Sequence, residues 1–388
     1  MGLYPPTPVL TVTELDSVKA LRGVLSTHLN WHGARLEFLA RFILALLQVR
    51  SVNLARLAPV FSSRAKISSN YIRLQRFFRT FTIDQAEIAR TIAWLLLPKD
   101  SPWVLTLDRT NWKLGRAEIN LLVLGVSYRG LSLPLFWSAL PKAGNSNTAE
   151  RVELLARLRE TFPVQPLAYL LADREFVGRA WVEALREQQI PFRLRLKANA
   201  RIRCSRSGEE APLLRAFQDL QVHEQRVLRK PRWLWGQPLY LSAKRLEDGE
   251  WLLIASEAYA AHALQEYAER WTIETLFAAL KGHGFHLEDT HLTKPERLEN
   301  LLGLLALTST WALHAGLWAH EQQPIREKKT LQRPQFSFFR YGLDLLQRLV
   351  ALRERFSPQF LRLLGFLLDG QPFELHPSMD CEMRLVWP

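Results

Sequence analysis

The feature that most narrows the fold is a change of hydrophobic period at residues 98–102, a segment that begins and ends in proline. Upstream, apolar residues recur at three and four, as in Leu36, Leu39, Ala40, Ile43 and Leu47, which predicts helices over 15–29, 33–49, 51–60, 67–81 and 84–97. Asp84 stands as an N-cap with Glu87 three residues on, the pattern of a capping box. Downstream the apolar runs shorten: WVLTLD at 103–108, INLLVLGVSY at 119–128 and LSLPLFWSAL at 131–140, the last two joined by a tight Arg129-Gly130 turn. A helix over 148–162, the strand LAYLLAD at 167–173, a helix over 178–189 and the strand FRLRLKA at 192–198 follow. Three meandering strands followed by βα units imply an α/β fold, a mixed sheet with helices on both faces. Residues 199–257 read as a β-rich insertion with turns at Gly236-Gln237-Pro238 and Glu247-Asp248-Gly249. A long helix over 259–283 comes next, then helices at 296–320, 336–355 and 357–368. The expected domains are a helical one at 1–97, a core at 98–295 containing the insertion, and a helical C-terminal region at 296–388.

Charge bears on partners. The 388 residues carry 51 Lys and Arg against 38 Asp and Glu, a formal charge of +13, and 39 of the cations are Arg. Arg forks match phosphate oxygens, so the excess favours a polyanionic partner. Arg64, Lys66, Arg73, Arg76 and Arg79 cluster on and around the second helix of a helix–turn–helix rhythm at 52–78. That module suits DNA, and a helical bundle with a solvated basic face would read the same. In the insertion, Arg226, Arg229, Lys230, Arg232, Lys244 and Arg245 interleave with Trp233, Trp235 and Tyr240, as on a surface that stacks bases or as in an amphipathic sheet with a Trp core. Cys204 and Cys381 are too few for a disulfide framework, which fits a reducing cytoplasm. The N-terminus lacks a secretory pattern, and the apolar stretches near 36–49 and 298–319 read as core helices, with no membrane partner.

The chemistry concentrates in YAERWTIETLFAALK, residues 267–281, which has neither Pro nor Gly and reads as one helix. On such a helix Tyr267, Arg270, Glu274 and Lys281 would share a stripe roughly 60° wide. An exposed face with an Arg–Glu pair gives this pattern, and so does a site that holds a metal ion beside phosphate oxygens. Asp108 closes the first expected strand and Asp173 the fourth, where open sheets build their sites. With Glu274 they make three carboxylates, enough for two hard cations roughly 4 Å apart, one activating a nucleophile and one stabilising the leaving oxygen.

These residues resemble a DDE transposase of a bacterial insertion sequence, in the IS-four-type group marked by a Tyr-Arg-Glu-Lys signature. Tyr267, Arg270, Glu274 and Lys281 match it at separations of two, three and six intervening residues. LTLDRT at 105–110 and ADREF at 172–176 resemble its two Asp motifs, and the likeness extends over most of the chain. The resemblance implies an RNase H-like core, with Asp108, Asp173 and Glu274 as catalytic ligands of two Mg²⁺ ions, for which Mn²⁺ can substitute. It implies that Tyr267, Arg270 and Lys281 contact the phosphates at the transposon end, with Arg174 near Asp173 reaching another. Trp251 resembles the residue that receives a flipped base during hairpin formation, and Trp271 also resembles a family position. A cut-and-paste enzyme follows, binding double-stranded DNA as inverted-repeat ends and target, acting as a homodimer through the C-terminal helices, at the nucleoid in the bacterial cytoplasm. The alternatives are a catalytically silent DNA-binding derivative and a nuclease without strand transfer. His283, His286 and His291 do not read as a metal site, and no nucleotide-binding loop or Ser/His/Asp motif appears.

Overall fold

The computed structural model describes residues 14–62, 64–328 and 333–351; Cys381 and the helix expected at 357–368 lie outside the described residues. The chain divides into two compact units, one of Pro98–Leu276 and one combining Met1–Leu97 with Phe277–Pro388.

The Pro98–Leu276 unit is built on a nine-stranded mixed sheet. The strands are β1 (Trp103–Leu114), β2 (Ala117–Tyr128), β3 (Leu131–Ala139), β4 (Leu167–Ala172), β5 (Phe192–Arg195), β6 (Gln225–Val227), β7 (Arg232–Leu234), β8 (Gln237–Arg245) and β9 (Trp251–Ser256). Their order is β3-β2-β1-β4-β5-β9-β8-β6, with β7 paired to β8. β1, β2 and β3 are antiparallel neighbours, whereas β4 is parallel to β1 and β5 to β4. That three-plus-two arrangement is the expected RNase H-like core. The two central residues of the β2–β3 turn, Arg129 and Gly130, have φ of 49° and 85°, the left-handed geometry that suits the twist of a hairpin. The β-rich segment is no separate layer, because β9 pairs antiparallel with β5 and extends the core sheet. Its first tight turn falls at Trp235-Gly236, one residue earlier than expected, with φ of 53° and 77°.

Helices α6 (Thr148–Thr161) and α7 (Arg179–Glu187) fill the connections from β3 to β4 and from β4 to β5. A full capping box starts α6: Asn147 accepts from the Glu150 backbone N–H and Glu150 accepts from that of Asn147. The segment after β9 forms α8 (Ala263–Ala268) and α9 (Trp271–Leu280), and α8 packs on β5, β8 and β9.

The second unit is helical: α1 (Glu14–His28), α2 (Gly33–Val49), α3 (Leu54–Phe61), α4 (Ile67–Thr80), α5 (Gln85–Leu96), α10 (Pro295–Gln322) and α11 (Phe338–Ala351). Asp84 caps α5 by accepting from the Ala86 N–H at 2.8 Å. The rest of the expected capping box is absent, because Glu87 is drawn to longer-range donors: Trp31 Nε1 at 2.8 Å and the Asn30 N–H at 3.3 Å. α10 is long and apolar enough to cross a membrane, but 89% of its apolar window is buried, as in a core helix. It touches α2, α4, α5 and α11. Against α11 two glycines meet: a methyl group on Gly316 would lie 1.8 Å from the Phe338 carbonyl oxygen, and one on Gly342 would lie 1.9 Å from that of Ala312.

Candidate active site

β1 and β4 pair in parallel as far as Leu107 and Ala172. Asp108 and Asp173 are the next residue on each, side by side where the two strands part. Asp108 therefore does not end its strand, as expected, because β1 runs on to Leu114 in the hairpin with β2. Alternation sets Val104, Thr106 and Asp108 on one face of β1, and Tyr169, Leu171 and Asp173 on the same face of β4. Val104, Tyr169 and Leu171 pack there with Ala263, Leu264 and Tyr267 of α8, so both carboxylates emerge on the face that α8 covers.

The helix expected over 259–283 is broken at Glu269 and Arg270. Across the break the N–H groups of Glu269, Arg270, Thr272 and Ile273 each reach the carbonyl three residues back, at 3.0–3.2 Å. This tighter turn interrupts α-helical bonding, and the Thr272 hydroxyl takes the Glu269 carbonyl at 2.8 Å. The single stripe is thus replaced by a corner, and the corner turns Arg270 inward. Its side chain, 9% exposed, donates to Glu274 Oε1 at 2.5 Å and lies 3.7 Å from Asp108 Oδ2. The guanidinium also sits between two rings, 5.6 Å from Tyr267 and 5.8 Å from Trp271. The Tyr267 hydroxyl donates to Asp173 Oδ1 at 3.5 Å, and Arg195 Nη1 stands 3.6 Å from that same oxygen. Asp108, Asp173, Tyr267, Arg270 and Glu274 are therefore gathered in one place.

Burial pushes the Asp108 carboxyl up to about 6; the Arg109 backbone N–H, 2.7 Å away, and the Arg270 charge pull it down, while Glu175 and Asp173 push it further up. Burial also raises the Tyr267 phenol, keeping it a hydrogen-bond donor to Asp173. For Arg270, burial opposes the charge and is outweighed by Tyr267, Glu274 and Asp173.

Sequence reading missed the pair that holds the two Asp-bearing segments together. Arg109 forks onto Glu175, with Nε to Oε1 and Nη2 to Oε2 both at 3.1 Å, and donates from Nη1 to Asn120 Oδ1 at 3.0 Å. Asn120 in turn donates to the carbonyls of Lys142 and Gly144, both at 2.9 Å. The signal was present in LTLDRT and ADREF, whose residues after each Asp supply the fork and the carboxylate. Arg195 was missed because strand alternation, which aims it at Asp173, depends on knowing where β5 pairs.

The other expected residues are placed differently. Arg174 is exposed beside Asp173. Trp271 opens α9 with 64% of its surface exposed. Trp251 begins β9, stacked 5.3 Å from the guanidinium of its cross-strand partner Arg245. By alternation it points away from the face that Leu252 and Ile254 share with α8, so it is not brought to the carboxylates. Lys281 belongs to the helical unit and pairs with Glu288 at 2.8 Å.

The donor set, all carboxylate oxygen with Asp108 held in a buried setting, suits a hard divalent cation. Among the described residues no three His, Cys, Asp or Glu side chains converge closely enough to hold an ion as they stand. For the carboxylates, the Arg270 guanidinium occupies the position between Asp108 and Glu274.

Residues 99–311 match the family model described as transposase DDE domain. No curated protein matches the chain. Among solved structures, one described as a cryo-EM structure of the piggyBac transposase synaptic complex with hairpin DNA is similar, at 12% identity and a TM-score of 0.42, covering 93% of this chain and 84% of that one. The family match spans more than half of the sequence, and on that ground the chain belongs to the transposase DDE domain family.

Proposed function

We propose that the chain is an active transposase of the IS-four-type group, which binds transposon-end inverted repeats, cuts them and joins the 3′ ends to target DNA. The observation that carries this reading is the gathering of Asp108 and Asp173, at adjacent strand positions, with Glu274 through Arg270. Asp108, Asp173 and Glu274 would hold two Mg²⁺ ions, or Mn²⁺ in their place, which when bound activate the attacking oxygen and stabilise the leaving one. Tyr267 orients Asp173 by its hydrogen bond, and the Arg109 N–H orients Asp108. Arg270 releases Glu274 and turns its charge to a DNA phosphate, with Lys281 and Arg174 as further phosphate contacts. The exposed ring of Trp271 is the better candidate than Trp251 to stack on a flipped base during hairpin formation. The working form is a homodimer at the nucleoid in the cytoplasm.

One observation favours a second reading, a catalytically silent DNA-binding derivative: the Arg270 guanidinium lies against both Asp108 and Glu274, two of the three carboxylates that would hold the ions. A denaturing gel separates the two, using purified protein, Mg²⁺ and labelled DNA carrying the inverted repeat that flanks the gene. An active enzyme gives a nick at the repeat boundary and then a hairpin-sized band. Glu274→Gln abolishes both while end binding changes by no more than about twofold, since a metal ligand is lost and the phosphate contacts stay. Wild-type protein that binds and never cuts establishes the silent reading.

A further inference from the structure

The helical unit presents a surface that neither the active site nor the family match explains. α4 buries Asn70, Leu74, Phe77 and Phe78 along one stripe. At 100° per residue the opposite stripe carries Ile72, Gln75, Arg76 and Arg79, all exposed. Ile72 leaves 55% of its surface in solvent although an amphipathic helix normally buries such a side chain. The helix is held rigidly from behind. Asn70, 1% exposed, donates from Nδ2 to the carbonyls of Ala58 at 3.0 Å and Ser62 at 2.9 Å, which satisfies the C-terminal end of α3 and fixes α4 against it.

The basic residues of this segment divide by what they touch. Arg73 lies 5.6 Å over the Phe61 ring and 3.9 Å from Glu37, so its charge is used within the fold. Arg76 and Arg79 make no ion pair among the described residues and face outward. Beside the stripe, a cavity of about 550 Å³ opens between α4, the first residues of α3 and the segment leading into α10. Arg79, Arg297 and His291 line it, and no carboxylate does. A site with two guanidiniums, an imidazole and no acid is complementary to an anion.

We propose that α4 is the helix that reads DNA sequence, lying in the major groove with Ile72, Gln75 and Arg76 toward the base edges, while a flanking backbone phosphate enters the cavity lined by Arg79, Arg297 and His291. The side chains suit such readout, since Gln matches adenine, Arg matches guanine, and an exposed aliphatic group matches the thymine methyl. Fourteen residues make a rod about 21 Å long, suited to a groove about 12 Å wide. This inference rests on the reading of the chain as an enzyme acting on DNA, and it adds which element supplies the specificity.

The test uses the full chain without divalent metal, so that nothing is cut, and a pool of duplexes with randomised centres. Wild-type protein should enrich a motif. Gln75→Ala and Arg76→Ala should each lose about tenfold of the preference at one motif position, with binding to unselected DNA unchanged to within about twofold. Arg297→Ala should weaken binding to all sequences alike and reduce the slope of log affinity against log salt by about 1. Arg73→Ala, which breaks only internal contacts, should lower the melting temperature and leave the motif as it was. Circular dichroism melts verify that each variant is folded, and Gln75→Glu, which keeps the side-chain shape, serves as a second substitution. Folded variants of Gln75 and Arg76 that select the wild-type motif overturn the assignment to α4. Wild-type protein that enriches no motif counts against sequence-specific end binding itself, a different failure.

Discussion

Arg270 answers to two carboxylates at once, yet at Asp108 burial outweighs it. With its carboxyl at about 6 in the folded chain against 3.8 as the ordinary value, Asp108 binds more protons folded than unfolded between those pH values. Stability therefore falls as pH rises through that window. Metal-free wild-type protein and Asp108→Asn should melt alike near pH 4, and by pH 7 the wild type should be less stable than the variant by roughly 2–3 kcal/mol. Adding Mg²⁺ at pH 7 should narrow the gap, since the ion favours the charged carboxylate. A melting difference that stays flat with pH would mean that Asp108 is not buried as described.

At the level of elements, the α10–α11 crossing is the contact with least tolerance. Gly342→Ala drives a methyl group into the Ala312 carbonyl, and a backbone shift is the only relief. A loss of about 1–3 kcal/mol is expected in denaturant unfolding, and a neutral result would show that the helices do not meet at these glycines. Much of this level was legible in the sequence where the cause is local. Arg129-Gly130 marked its hairpin because Gly takes the left-handed conformation of the turn without steric cost, and Asp84 marked the start of α5 because its carboxylate accepts from one of the first amides. Non-local causes left no such mark. The corner at Glu269 and Arg270 contains neither Gly nor Pro, and forms where a buried Arg270 gains two carboxylate partners that no helix periodicity encodes. Glu87 left its capping box for Trp31, more than fifty positions away. The facing of Trp251 depended on β9 docking against β5, a pairing that its own residues do not announce.

For the whole molecule, the charge of +13 and the match to the transposase DDE domain point the same way, to a protein that works on a polyanion. The motifs of the candidate site were legible because two Asp-bearing strand segments and one Glu-bearing helix keep their local sequences wherever they are placed. Their supporting fork, Arg109 with Glu175, became evident only once β1 and β4 were side by side. A change of ligand softness tests whether these carboxylates hold the metal ions that DNA cleavage needs. Asp173→Cys should bind end DNA like the wild type, lose cleavage in Mg²⁺, and regain it in Mn²⁺, because a thiolate ligates the softer ion and not the harder one. Recovery only in Mn²⁺ is the predicted result on the denaturing gel. Cleavage by this variant in Mg²⁺ at the wild-type rate would show that Asp173 holds no ion that the reaction needs.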